Sequence, residues 1–201
     1  MKIRIHRALA LATAALALGG CVSLFPGGDG NPPAFAVADP PLPEAAPSEG
    51  EIPALIVIGR VRAAPDAAGR ALRAVDADSG RAARYAGGDL AVSPEALVAR
   101  RLRRAEAARH PGATVCDSAL APRHAEAALL ECWIEDFRLE RQAGAWTFRL
   151  AGTLYRTTPG TDTVACEPFA SAVPVAGNGA GEPPPAAVAA AITAALAALP
   201  L

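Results

Sequence analysis

Leu130-Glu131-Cys132-Trp133-Ile134-Glu135-Asp136-Phe137 is the stretch that decides the fold. Leu130, Cys132 and Ile134 alternate with Glu131, Trp133 and Glu135, the period-two pattern of a strand with one face in a core and the other toward solvent. Gln142-Ala143-Gly144 turns the chain, and Trp146, Phe148, Leu150 and Leu154 mark a second strand to about Arg156. Thr158-Pro159-Gly160 turns it again into a third strand, Val164 to Val175. Loops this short leave no room for crossovers, so the three strands predict an antiparallel meander.

Upstream, Ala54 to Arg62 reads as a strand, and its unbroken Leu55-Ile56-Val57-Ile58 suits a place inside a sheet. Arg70 to Asp76 and Arg81 to Tyr85 flank Asp78-Ser79-Gly80, a turn signal, and predict a hairpin. Ser93-Pro94-Glu95 starts a helix with a capping Ser, a Pro at the first position and an acid in the first turn. Leu97, Val98, Leu102, Ala105 and Ala108 then share one face, and His110-Pro111-Gly112 ends it. Ala113 to Cys116 predicts a short strand, so that strand, hairpin, helix and strand resemble a right-handed crossover. Downstream, Gly177 to Pro185 is a loop, and Val188, Ile192, Leu196 and Leu199 stripe a second helix. That helix is short for a membrane span, which points to docking on the sheet. The expected architecture is α+β: a mixed, mainly antiparallel sheet with two helices packed on one face.

The N-terminus is of another character. Lys2, Arg4 and Arg7 precede Ala8 to Leu18, eleven uncharged residues of Ala, Leu and one Thr. A charged start, an apolar stretch of this length and a small-residue site define a secretory signal. Leu18-Gly19-Gly20-Cys21 resembles a bacterial lipobox. That resemblance implies cleavage before Cys21, diacylglycerol on its sulfur and a fatty acyl chain such as palmitate on the new amine. Two or more chains anchor stably where one gives only marginal binding. Val22, where Asp would retain an enteric lipoprotein at the inner membrane, resembles outer-membrane sorting. Residues 22–50 carry Pro26, Pro32, Pro33, Pro40, Pro41, Pro43 and Pro47 and read as a tether. As an extended chain it would reach up to about 90 Å. Phe35-Ala36-Val37 interrupts it as a short edge strand. The organisation read from the chain is a signal peptide at 1–20, a lipidated tether at 21–50 and one domain at 51–201.

Without its signal the chain keeps 16 basic against 20 acidic residues, a net charge of −4 that argues against a nucleic-acid partner. Three cysteines follow Cys21, and an exported chain meets an oxidising compartment. Cys116 with Cys132 would close a loop of about 15 residues, worth roughly 3 kcal/mol in a chain-entropy account. The competing reading makes Cys132 a small buried hydrophobe. His110, Cys116, His124 and Cys132 lack the close pairs of a zinc site, and neither His sits in a motif that would activate Cys116 as a nucleophile. Gly177-Asn178-Gly179-Ala180-Gly181 lacks the spacing of a phosphate loop. Glu131, Glu135, Asp136 and Glu140 give the meander an acidic counterpart, and alternation puts Glu131 and Glu135 on the outer, solvated face. Arg100, Arg101, Arg103 and Arg104 crowd the first helix. They are candidates for lipid phosphates or an acidic partner, or form a solvated face partly paired with Glu106. These residues argue for no enzyme, cofactor or metal.

The whole layout resembles the PqiC-like auxiliary lipoproteins of ABC-type intermembrane lipid transport. The features that carry the likeness are the Cys21 lipobox, the Pro-rich tail with Phe35-Ala36-Val37, the strand at Leu55 to Val61 and the hairpin leading to Tyr85. Ser93-Pro94 with Leu97 and Leu102, and Leu130 to Phe137 with its acidic-Phe ending, complete it. Asp89-Leu90 stands where that family often has Trp, and Cys116, Cys132 and Cys166 depart from it. The resemblance implies a periplasm-facing subunit on the outer membrane, with an MCE-domain protein and an ABC permease as partners, and allows a homo-oligomer. A structural or assembly lipoprotein of the cell envelope is the alternative.

Overall fold

The computed structural model describes residues 33–42, 53–118, 127–160, 163–177 and 181–200. Its elements are β1 (Ala34–Phe35), β2 (Leu55–Ala63), β3 (Arg73–Asp76), β4 (Arg81–Arg84), β5 (Asp89–Leu90), α1 (Pro94–Arg109), β6 (Thr114–Asp117), β7 (Ala128–Gln142), β8 (Ala145–Thr157), β9 (Val164–Pro174) and α2 (Pro185–Ala197).

The strand read around Ile134 organises everything. β7 is 15 residues long and pairs with β8 along nearly its whole length, and β8 pairs with β9, all antiparallel. The other edge of β7 is divided. Its first half pairs with β2 and its second half with β3, both parallel. β6 extends the sheet beyond β2, and β4 extends it beyond β3. β2 and β6 run parallel with α1 between them in sequence, the arrangement a crossover requires. The fold is thus α+β, with a mixed, mostly antiparallel sheet.

One irregularity keeps β7 in phase with the core. Ile134 pairs with Gly152, and Asp136 pairs with Ala151, so Glu135 is the extra residue of a bulge. Ile134 and Phe137 therefore both face inward, although an offset of three residues would put them on opposite faces under strict alternation. Phe137 meets Phe148 edge-on, ring centres 4.9 Å apart. Above them α1 contributes Leu97, Val98 and Leu102, and α2 contributes Val188, Ile192 and Leu196, all buried in the same cluster. The apolar stripe of α2 is thus used on the sheet. No helix among the described residues is long and apolar enough to cross a membrane.

Part of the stretch read as tether, residues 33–42, packs on the domain: Val37 belongs to its buried core and β1 pairs with β5. Prolines made this stretch read as linker, yet Val37 and Pro40 are buried and give an extended chain something to pack with.

Among the described strands β9 pairs only with β8, which leaves one edge open. Val175 N–H donates to Trp146 O at 2.9 Å, so odd-numbered residues bond toward β8 and even-numbered ones present their backbone to the open side. Pro168 and Pro174 sit on that open side, where they remove donors that a second strand would need. The double variant Pro168→Thr/Pro174→Thr is expected to self-associate more than the parent. Sedimentation checks this, and equal masses at high concentration would contradict it.

Candidate functional site

The arginine-rich helix is the place to look first. Ser93 caps α1 by accepting from Ala96 N–H at 3.4 Å, Pro94 fills the first turn, and His110 closes the far end. Four arginines then project from its middle, and each one has an internal partner. Arg100 Nε lies 2.6 Å from Asp39 Oδ1, and Arg104 Nη1 lies 2.9 Å from Asp39 Oδ2. Arg103 pairs with Asp117 on β6. Arg101 is only 2% exposed and donates to Leu196 O at 3.2 Å and Pro41 O at 3.4 Å. Burial first, then Arg104, lower its pKa, and Asp39 opposes them. Arg100, Arg103 and Arg104, candidates for lipid headgroups or an acidic partner, are thus paired within the chain while their side chains stay about two-fifths exposed, and Arg101 is buried. These side chains hold the chain's own segments together.

Asp39, the residue that sequence reading missed, belongs to a strap of residues 33–42. β1 within it pairs parallel with β5. Asp89 N–H donates to Pro33 O and Ala91 N–H to Phe35 O, at 2.9 and 2.8 Å. The Phe35 ring stands edge-on to Tyr85 at 6.0 Å. Thr193 on α2 donates to Ala38 O at 3.0 Å, and Arg100 donates to Val37 O at 3.4 Å. The strap thus touches β5, α1 and α2. Gly88 permits its approach: φ is +122°, and a Cβ there would lie 2.1 Å from Pro33 O.

An open groove of about 610 Å³ runs between α1 and the β2–β6 edge, bordered by Arg100, Arg103 and Asp117. Both cations there already face carboxylates. Glu106, read as a partner of a solvated face, is fully buried instead. It accepts from Arg156 Nη2 at 3.2 Å and lies 3.6 Å from His110 Nε2, tying α1 to β8. Its position four residues after Leu102, on the apolar stripe, was the signal for this.

Among the described residues the cysteines do not pair. Cys116, Cys132 and Cys166 are free. Val57 pairs with both Cys116 and Leu129, so Cys116 is level with Leu129, two strands from β7 and three residues short of Cys132. That separation is about 14 Å from strand spacing and rise, far beyond disulfide reach. The Cys116–Cys132 pairing is therefore corrected. Cys132 is the buried hydrophobe, and burial pushes its thiol up to about 12, which keeps it protonated and unreactive at neutral pH. His124 lies outside the described residues, as does Cys21. Among the described residues no three His, Cys, Asp or Glu side chains gather as a metal site.

The acidic face of β7 divides at the bulge. Glu135 is exposed, whereas Glu140 is 8% exposed and bridged by Arg138 and Arg149 at 2.9 and 2.8 Å. Burial raises the Asp136 carboxyl, against the pull of Arg138 and Arg149. A raised folded-state value means stability present at low pH that is lost as pH rises through that value. Asp136→Asn should remove this component, read as a smaller difference between urea midpoints at about pH 4 and about pH 7. Gly181, Glu182 and Pro183 before α2 form a clasp. Tyr85 Oη donates to Pro183 O at 2.6 Å, Ala86 N–H to Glu182 at 2.8 Å, and Trp146 Nε1 to Gly181 O at 2.9 Å.

No family model matches the chain, and no curated protein matches it by sequence. Solved structures do match. One is described only as an uncharacterized protein, at TM-score 0.57 and 14% identity, over 82% of this chain and 93% of that one. Another is protein XCC0632 from Xanthomonas campestris, described under the family model DUF330, at TM-score 0.61 and 16% identity, over 82% of this chain and 88% of that one. This chain is similar in fold to a DUF330 protein. At these identities the likeness is one of architecture, and the overlap reaches most of both chains.

Proposed function

We propose that this chain is a lipid-anchored accessory subunit of an MCE/ABC-type intermembrane lipid transport system, docking the apparatus at the outer membrane. The observation that carries the reading is the DUF330-type fold, a group like the PqiC-type auxiliary lipoproteins, found in a chain that opens with a lipobox. The interior chemistry supports it. The arginines of α1 and Glu106 bind the fold's own parts, and Cys132 is held as a neutral thiol. In this role the domain is a surface that partners hold, and the work on lipid falls to the MCE protein and permease. Deleting the chain is expected to slow exchange of labelled phospholipid between the two membranes in a pulse-chase measurement. Unchanged exchange with a weakened envelope would favour the structural lipoprotein instead.

A further inference from the structure

We propose that the strap at residues 33–42 is a latch that sets how far the domain can stand from the membrane. The inference rests on the reading that Cys21 carries the lipid. With the strap docked, only Val22 to Pro32, eleven residues, remain between anchor and domain. Their ceiling is about 35 Å at the rise of an extended Pro-rich chain. With the strap released, the tether runs from Val22 to Leu42, 21 residues in all, and the ceiling grows to about 65 Å. The bonds that decide between these states are few and lie on one short segment. Asp39 bridges Arg100 and Arg104, whose side chains are 39% and 41% exposed, so solvent and salt reach this contact. Val37 and Pro40 supply the buried anchors, and β1 adds a pairing of only two residues. Of the strap, Val37 belongs to the buried core cluster and Phe35 packs against it, whereas the other buried members of that cluster lie outside residues 33–42. The latch is thus the low-stability unit of the fold, and pulling on the lipidated end acts on it first.

The test uses the full lipidated chain in phosphatidylcholine vesicles. A donor dye sits on the exposed Cys166, in a Cys116→Ser background, and acceptors sit on lipid headgroups. Flotation first establishes attachment. Amide exchange at Asp89 and Ala91, whose N–H groups bond to the strap, reports whether it is docked. In the Val37→Asn/Asp39→Asn double variant, these amides should lose protection and transfer should fall by about half or more, as the tether ceiling lengthens. Gly88→Ala, which places a Cβ against Pro33 O, gives an independent route to the same result should that variant fold poorly. Lost protection with unchanged transfer would overturn the latch. A chain that does not float with vesicles would overturn it too, by removing the anchor, and flotation separates that failure from the first.

Discussion

Cys21→Ser is expected to move nearly all of the protein out of the membrane fraction. A serine oxygen does not take the thioether-linked diacylglycerol that a lipobox cysteine receives. No helix among the described residues can hold the domain in a bilayer instead. Two or three acyl chains at about 0.8 kcal/mol per buried methylene would account for stable attachment, and the variant would lose all of them together. The uncut form keeps the apolar run Ala8 to Leu18, so the length of the recovered protein must be read with its location. Mature-length protein that remains on the membrane after the substitution would contradict the assignment. The strap adds a second expectation. The released domain should keep its arginine–Asp39 contacts and melt at the parent's temperature, because those contacts are made by residues 39, 100 and 104.

The second large effect lies at the β7 bulge. Gly152→Val should destabilise the domain by about 3 kcal/mol or more, a fall in Tm of roughly 6–12 °C for a domain of this size. A Cβ at residue 152 would stand 2.2 Å from Trp133 O and 2.8 Å from the Phe169 ring. The first of these neighbours is backbone, which no rotamer change can clear. Relief requires β8 to pull away from β7 beside Phe148 and Leu150, both fully buried. Gly112→Ala is the control, since a Cβ there meets nothing within 4 Å. Thermal melts of both decide the point, and equal melts would show that the bulge is slack.

What the sequence made legible follows from periodicity. Leu130, Cys132 and Ile134 announced the strand, Ser93-Pro94-Glu95 announced the helix, and both stand where they were read. The bulge at Glu135 carries no composition signal, because two adjacent acids look alike whether or not one of them bulges. The parallel pairing of β7 with both β2 and β3 was also hidden, since pairing partners over 60 residues apart leave no local trace. Of the strap, the short strand around Phe35-Ala36-Val37 was legible, and β1 stands there, but the packing of Pro40 and the pairing of Asp39 were not, since prolines mark an extended chain without saying whether it packs. Arg101 was misread for a related reason. It follows Leu97 by four residues, on the buried face, and a charge there needs partners that only the folded chain supplies: Leu196 O and Pro41 O. The disulfide failed on register, which sequence spacing does not contain.

The claim that this is a docking subunit meets its most direct test in affinity capture of the intact lipidated chain from solubilised envelopes. The account predicts an MCE-domain protein and an ABC permease in the eluate, and their loss when Cys21→Ser frees the domain from the membrane. An eluate without either, from a chain shown to be lipidated and folded, would contradict it.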